Sequence, residues 1–166
     1  MELVNKKKER WIEEWRGKEW EEDEWVLVQA RSILKKRNKG LKLGNLEEVL
    51  KHVRNLLSLS HIEKVFVFYL NTKSHLLGTD VFIGEVQSCS FHPARILRGV
   101  IKYGSTRIIM AHNHPSGNST PSKEDRKITS AVKKLLQVMD VELDDHIIIP
   151  AGDPHLFYSF RKEGLI

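Results

Sequence analysis

The sequence predicts an α/β domain built on one central sheet flanked by helices, preceded by a helical extension. Three observations carry that prediction. KVFVFYL at 64–70 and TRIIMA at 106–111 are strand-length runs dense in β-branched and aromatic or other apolar residues. Segments with apolar residues at helical spacing alternate with them, after Asn45, after Pro93 and after Ser122. The 166 residues are 40% hydrophobic and 30% charged, which excludes collagen-like, mucin-like and low-complexity chains. Strands and helices mixed in this order make an α/β layer structure.

Residues 1–44 read as a charged, Trp-rich helical extension and residues 45–166 as the main domain. All four tryptophans, Trp11, Trp15, Trp20 and Trp25, precede residue 26. Trp11 and Trp15 share a helix face, and residues 5–37 read as helical with a weak apolar stripe. Each Trp ring can bury ~150–250 Å², so this stripe packs on its own domain or on a partner chain, the second case giving an oligomer.

In the main domain, Asn45 caps a helix running to about Leu57, with Leu46, Val49, Leu50, Val53 and Leu57 on one face. Lys64–Leu70 reads as a strand covered on both sides. Leu76 to Phe91 supplies one or two more strands around Gly78 and Gly84. Pro93 starts a helix carrying Ile96, Leu97, Val100 and Ile101. Thr106 to Ala111 is a short buried strand, followed by the polar loop HNHPSGNSTP. Ser122 opens a helix to about Met139 with Ile128, Val132, Leu135 and Met139 as its apolar face. His146 to Ile149 and Leu156 to Phe160 close the chain as two strands.

The net charge of +5 is unevenly spread: the first 25 residues hold six basic against nine acidic side chains, leaving +8 on the rest. Arg31, Lys35, Lys36, Arg37, Lys39 and Lys42 form the densest basic stretch, with no acid between Val26 and Leu46. Such a stretch is either a solvated linker or a set of phosphate contacts for nucleic acid. A single cysteine, Cys89, excludes an intramolecular disulfide and a zinc site built on several Cys; it reads as a small buried residue. No apolar run reaches the ~18–20 residues needed to cross a bilayer. The basic start MELVNKKKERW has no apolar segment behind it, so the expectation is a cytoplasmic protein without a membrane partner.

Chemistry concentrates at His112, His114 and Asp125. Residues i and i+2 of a strand project to one side, so both imidazoles can aim at one spot. Ser122 is a good helix N-cap, and Asp125 lies in the first turn, where the Pro115–Pro121 loop can fold it back over the strand end. Two imidazole nitrogens and a carboxylate leave a fourth tetrahedral position open, the arrangement of catalytic rather than structural zinc. The bland reading is also available: two polar loop histidines, and a capping box in which Asp125 reaches back to the Ser122 amide. His52, His61, His75 and His155 read as surface or turn residues, and His146 as a support residue behind a site or a sheet-edge residue.

The pattern His112-x-His114-Pro115, six residues, Ser122-x-x-Asp125 resembles the JAMM metalloprotease motif at every defined position. HNHPSGNSTPSKED, the downstream DHIII and FYSFRKEGLI, EKVFVFYLNTKSHLL and the His92-Pro93-Ala94-Arg95 helix start are similar to the RadC branch of that superfamily, over about Asn45 to Ile166. The resemblance implies a JAMM (cytidine-deaminase-like) fold with a mixed curved sheet. It implies one Zn2+ per chain on His112, His114 and Asp125, and Ser122 as a hydrogen-bond donor to an oxyanion. It requires an upstream glutamate as proton shuttle: Glu63 is preferred, with Glu85 as the rival. RadC proteins carry a helix-hairpin-helix-like region in front, where this chain has the Trp-rich segment and the basic stretch. The function expected is a zinc-dependent hydrolase cleaving peptide or isopeptide bonds in a protein substrate. The alternative is a DNA-associated protein, a binding module or metal-dependent nuclease, in which the JAMM domain is a scaffold.

Overall fold

The computed structural model describes residues 40–57, 61–83, 93–153 and 155–166. The Trp-rich segment, the basic residues from Arg31 to Lys39, Glu85 and Cys89 lie outside the described residues. The described elements are α1 (Leu46–Leu57), β1 (Lys64–Leu70), β2 (Leu76–Ile83), α2 (Pro93–Tyr103), β3 (Arg107–His114), α3 (Lys123–Gln137), β4 (Glu142–Pro150) and β5 (Tyr158–Ser159). They make a five-stranded mixed sheet in the order β2-β1-β3-β4-β5. Only β3 and β4 pair in parallel, as the intervening α3 requires; the other pairings are antiparallel.

Both sheet faces are covered, so the central strands are continuous apolar runs rather than alternating ones. Val65, Val67, Tyr69, Ile108 and Met110 share one core with Ile96 and Val100 of α2 and with Val132 and Leu136 of α3. On α1, Val49, Leu50, Val53 and Leu57 are buried as the helical spacing predicts. His52 on the same helix is half-buried, with its ring edge-on to Phe68 at 5.4 Å. It is therefore a packing residue and not a surface histidine.

The structure moves four boundaries. β3 runs three residues beyond Ala111, because Asn113 and His114 pair with Ile149 and Pro150 of β4; the two histidines stand on a strand, not in the loop. β4 begins at Glu142, ahead of His146, so His146 is internal to a strand. β5 is only two residues long. α3 ends at Gln137, and its buried stripe is Asp125, Thr129, Val132 and Leu136. The helix is thus rotated from the Ile128–Leu135 face, because Asp125 and Thr129 in its first two turns meet His112 of β3 and His146 of β4.

Candidate metal centre

The parallel β3–α3–β4 unit brings the C-terminal end of β3 and the N-terminus of α3 together. Antiparallel β1 begins at the same end: Val65 pairs with His112, which sets Glu63 level with His114. One donor atom from each of Glu63, His112, His114 and Asp125 lies within 4.8 Å of the others. Four sequence positions singled out for chemistry therefore meet in space.

The inner three are close. His112 Nε2 stands 2.9 Å from His114 Nε2 and 3.2 Å from Asp125 Oδ1, and His114 Nε2 is 3.4 Å from Asp125 Oδ2. Four tetrahedral ligands at ~2.0–2.1 Å from zinc sit roughly 3.3 Å apart, so these separations fit a single ion. His112 and Asp125 are almost fully buried, whereas His114 and Glu63 are half-buried and form the open side.

Hydrogen bonds aim each ring. His114 Nδ1 lies 2.6 Å from the Asn118 carbonyl, which can only accept, so Nδ1 carries a proton and Nε2 faces the cluster. Asp125 is held by Ser122: the backbone N–H donates to Oδ2 at 2.7 Å, the hydroxyl donates to Oδ2 at 2.6 Å, and Asp125 N–H donates to Ser122 Oγ at 3.0 Å. The capping box and the metal-ligand geometry coexist. Its hydrogen bonds load Oδ2, while Oδ1 faces His112.

The electrostatics call for a cation. Burial alone would raise the Asp125 pKa, yet the imidazoles of His112 and His114 beside it and the Ser122 hydroxyl that donates to it hold it well below the usual carboxylate range. Burial works against a charge on His114, but its hydrogen bonds to Asp125 and Asn118, with the charges of Asp125 and Glu63, raise its pKa. Two ring nitrogens and a carboxylate converging this closely repel unless a proton or a metal ion lies among them. Burial raises Glu63, offset in part by His112 and His114, and the Asp125 charge raises it further.

Comparison with known proteins gives the family of this chain. The family described as RadC-like JAB domain matches residues 43–165. The chain belongs to that family. A UPF0758 protein of Clostridium botulinum (strain Alaska E43 / Type E3) is 37% identical over 141 residues, 84% of this chain and 60% of the relative. A UPF0758 protein of Carboxydothermus hydrogenoformans is 42% identical over 106 residues, 63% of this chain and 47% of the relative. UPF0758 protein YfjY of Escherichia coli (strain K12) is 33% identical over 105 residues, 63% of this chain and 64% of that protein. The chain thus spans less than two thirds of the length of these curated relatives. Among the described residues, no helix is long and apolar enough to cross a membrane.

Asn113 and Thr129, which the sequence reading left aside, and His146, which it offered as a support residue or a sheet-edge residue, stand around the cluster of this RadC-like JAB domain. Asn113, which is buried, accepts the Lys64 N–H at 2.8 Å and donates to the Ile62 carbonyl at 3.0 Å, clamping the backbone on both sides of Glu63. His146 Nε2 lies 2.8 Å from His112 Nδ1, and His146 Nδ1 lies 2.7 Å from Thr129 Oγ1. Burial, with His112 beside it, holds the His146 pKa well below its usual value against the opposing pull of Asp125, so its ring is neutral. The signal for Thr129 was its place four residues after Asp125, on the same helix face. The signal for His146 was its place beside Asp145 in a strand; which residue it supports is readable only once the β3–β4 register is known.

Proposed function

We propose that this domain is a zinc-dependent hydrolase of peptide or isopeptide bonds, with His112, His114 and Asp125 as the zinc ligands. The observation that carries the reading is the convergence of His112 Nε2, His114 Nε2 and Asp125 at 2.9–3.4 Å, with the Glu63 carboxylate within 4.8 Å. Zinc held by three protein ligands with one open position supplies Lewis-acid activation of water and of a carbonyl group.

The chain's own groups supply the rest. Glu63, on the open side, takes a proton from the attacking water at its carboxylate and passes it to the leaving amine. Its raised pKa brings it closer to the working pH, as a shuttle requires. The Ser122 hydroxyl is a second donor. Its proton rests on Asp125 Oδ2 at 2.6 Å and would turn to the oxyanion formed from the substrate carbonyl, while its backbone N–H keeps hold of Asp125.

The test is hydrolysis of two probe sets by the zinc-loaded protein: a pool of internally quenched peptides, and peptides branched through a lysine isopeptide bond. Cleavage in either set that is lost on chelation and restored by zinc supports the reading. Stoichiometric zinc with neither set cleaved would overturn the hydrolase assignment.

A further inference from the structure

Behind His112 runs a sealed chain of hydrogen bonds that the hydrolase reading does not use. His112, Thr129 and His146 are each no more than 3% exposed, so no solvent competes for their protons. The chain starts at the Asp125 backbone carbonyl, 2.6 Å from Thr129 Oγ1. A carbonyl only accepts, and a threonine hydroxyl has one proton, so that proton points at Asp125. Thr129 Oγ1 must then accept at its contact with His146 Nδ1, 2.7 Å away. At pH 8, above the ordinary imidazole pKa of about 6.5, the buried His146 ring carries one proton; the contact with Thr129 puts it on Nδ1, and Nε2 is an acceptor. At 2.8 Å from it, His112 Nδ1 must be the donor. His112 is left with its proton on Nδ1 and with Nε2 turned to the cluster.

We infer that Thr129 and His146 are positioning residues that form a tautomer lock, fixing the His112 proton on Nδ1 and keeping the Nε2 lone pair free toward the site. A metal-ligating imidazole needs its other nitrogen held by a hydrogen-bond partner. Here that partner is a second imidazole, which could serve equally as acceptor or donor. An unlocked His146 with its proton on Nε2 would push the His112 proton onto the nitrogen that faces the site. Thr129 removes that alternative, because its hydroxyl is committed to Asp125, on the same helix as the carboxylate it helps to place. Phe160, stacked on His146 at 4.9 Å and 15°, fixes the ring plane but cannot choose the tautomer. The inference rests on the metal-site reading for its consequence, not for its proton order.

Thr129→Val and Thr129→Ser separate the lock from simple packing. Valine keeps the shape and loses the hydroxyl; serine keeps the hydroxyl and loses a methyl group. A packing role makes serine the worse substitution, and the lock makes valine the worse. Nitrogen-15 NMR of the histidine rings in the metal-free full chain at pH 8 should show His112 with Nδ1–H in the wild type and in Thr129→Ser. In Thr129→Val, Nε2–H should appear, and zinc affinity measured against a chromophoric chelator should fall ~10–100-fold, the range for lost support of a metal ligand. Serine should restore it to within a few-fold.

Wild-type His112 with its proton on Nε2 would overturn the inference whatever the variants do. So would a Thr129→Val protein with unchanged His112 signals and zinc affinity. If the wild type binds no zinc, the metal reading fails, while the NMR spectra of the metal-free chain still decide the lock.

Discussion

Asn113 and Lys64 are joined by a hydrogen bond of 2.8 Å from the Lys64 backbone N–H to the Asn113 side-chain oxygen, across the paired ends of β3 and β1. With its amide donating to Ile62 O at 3.0 Å, the same side chain fixes the backbone that carries Glu63. The residue between the two histidines thus sets the carboxylate beside them. Asn113→Ala should leave both backbone groups without this partner and cost about 1–3 kcal/mol in urea unfolding. Zinc content should stay near that of wild type while any hydrolytic rate falls, since Glu63 is displaced and the three ligands are not. A rate unchanged in a destabilised protein would confine Asn113 to structure.

Glu63→Gln removes the carboxylate and keeps the shape. Zinc content and fold should survive, and the hydrolytic rate should fall about 100–10,000-fold, the range of a lost general base. Glu85→Gln should be nearly silent. A dead Glu85→Gln beside an active Glu63→Gln would transfer the role.

The pH dependence should reverse when zinc is added. In the metal-free chain the His114 pKa is raised above 6.5, so its contribution is complete below pH 6.5 and is lost as pH rises through the folded value. The Asp125 pKa is lowered from 3.8, so its contribution is complete above pH 3.8 and is lost as pH falls through the folded value. The pair therefore supports the metal-free fold most between these limits. Zinc needs His114 without that proton, so the stabilisation added by zinc should grow as pH rises above 6.5. Thermal unfolding with and without zinc across pH 5–8.5 should show the two trends. Parallel pH profiles would remove His114 from the site.

Most of the fold was legible in the sequence, for reasons that can be named. β1 was readable to the residue because both its faces are apolar and Asn71 and its neighbours turn the chain. The end of β3 was not, because Asn113 and His114 are polar: their strand conformation comes from pairing with Ile149 and Pro150, a long-range partnership no local pattern reveals. The ligand candidates were legible because HxH and SxxD fix spacing locally. Thr129 and Asn113 were not, because each acts across the β1–β3–β4–α3 assembly; His146 was legible as a support residue beside Asp145, but its partners His112 and Thr129 were not. A buried polar residue in a helical stripe looks like a flaw until its partner is known.

Packing on the far side of the sheet from α1 makes a separate stability prediction. A Cβ at Gly99 of α2 would stand 2.0 Å from the Tyr69 hydroxyl oxygen and 2.1 Å from its Cζ. Tyr69 is fully buried and donates to Asp80 at 3.0 Å, so the ring has little freedom to withdraw. Gly99→Ala should cost about 1–3 kcal/mol by overpacking, read as a lower urea midpoint with zinc binding kept. An unchanged midpoint would mean that α2 shifts freely on the sheet.

Zinc content of the wild type and of His114→Ala, measured by mass spectrometry after equilibration with a slight excess of zinc and removal of the free metal, tests the central claim most directly. The wild type should hold about one zinc per chain, and the variant, having lost one of three protein ligands, close to none. A wild type that holds no zinc, or a folded His114→Ala protein that holds as much as the wild type, would contradict the assignment of the site.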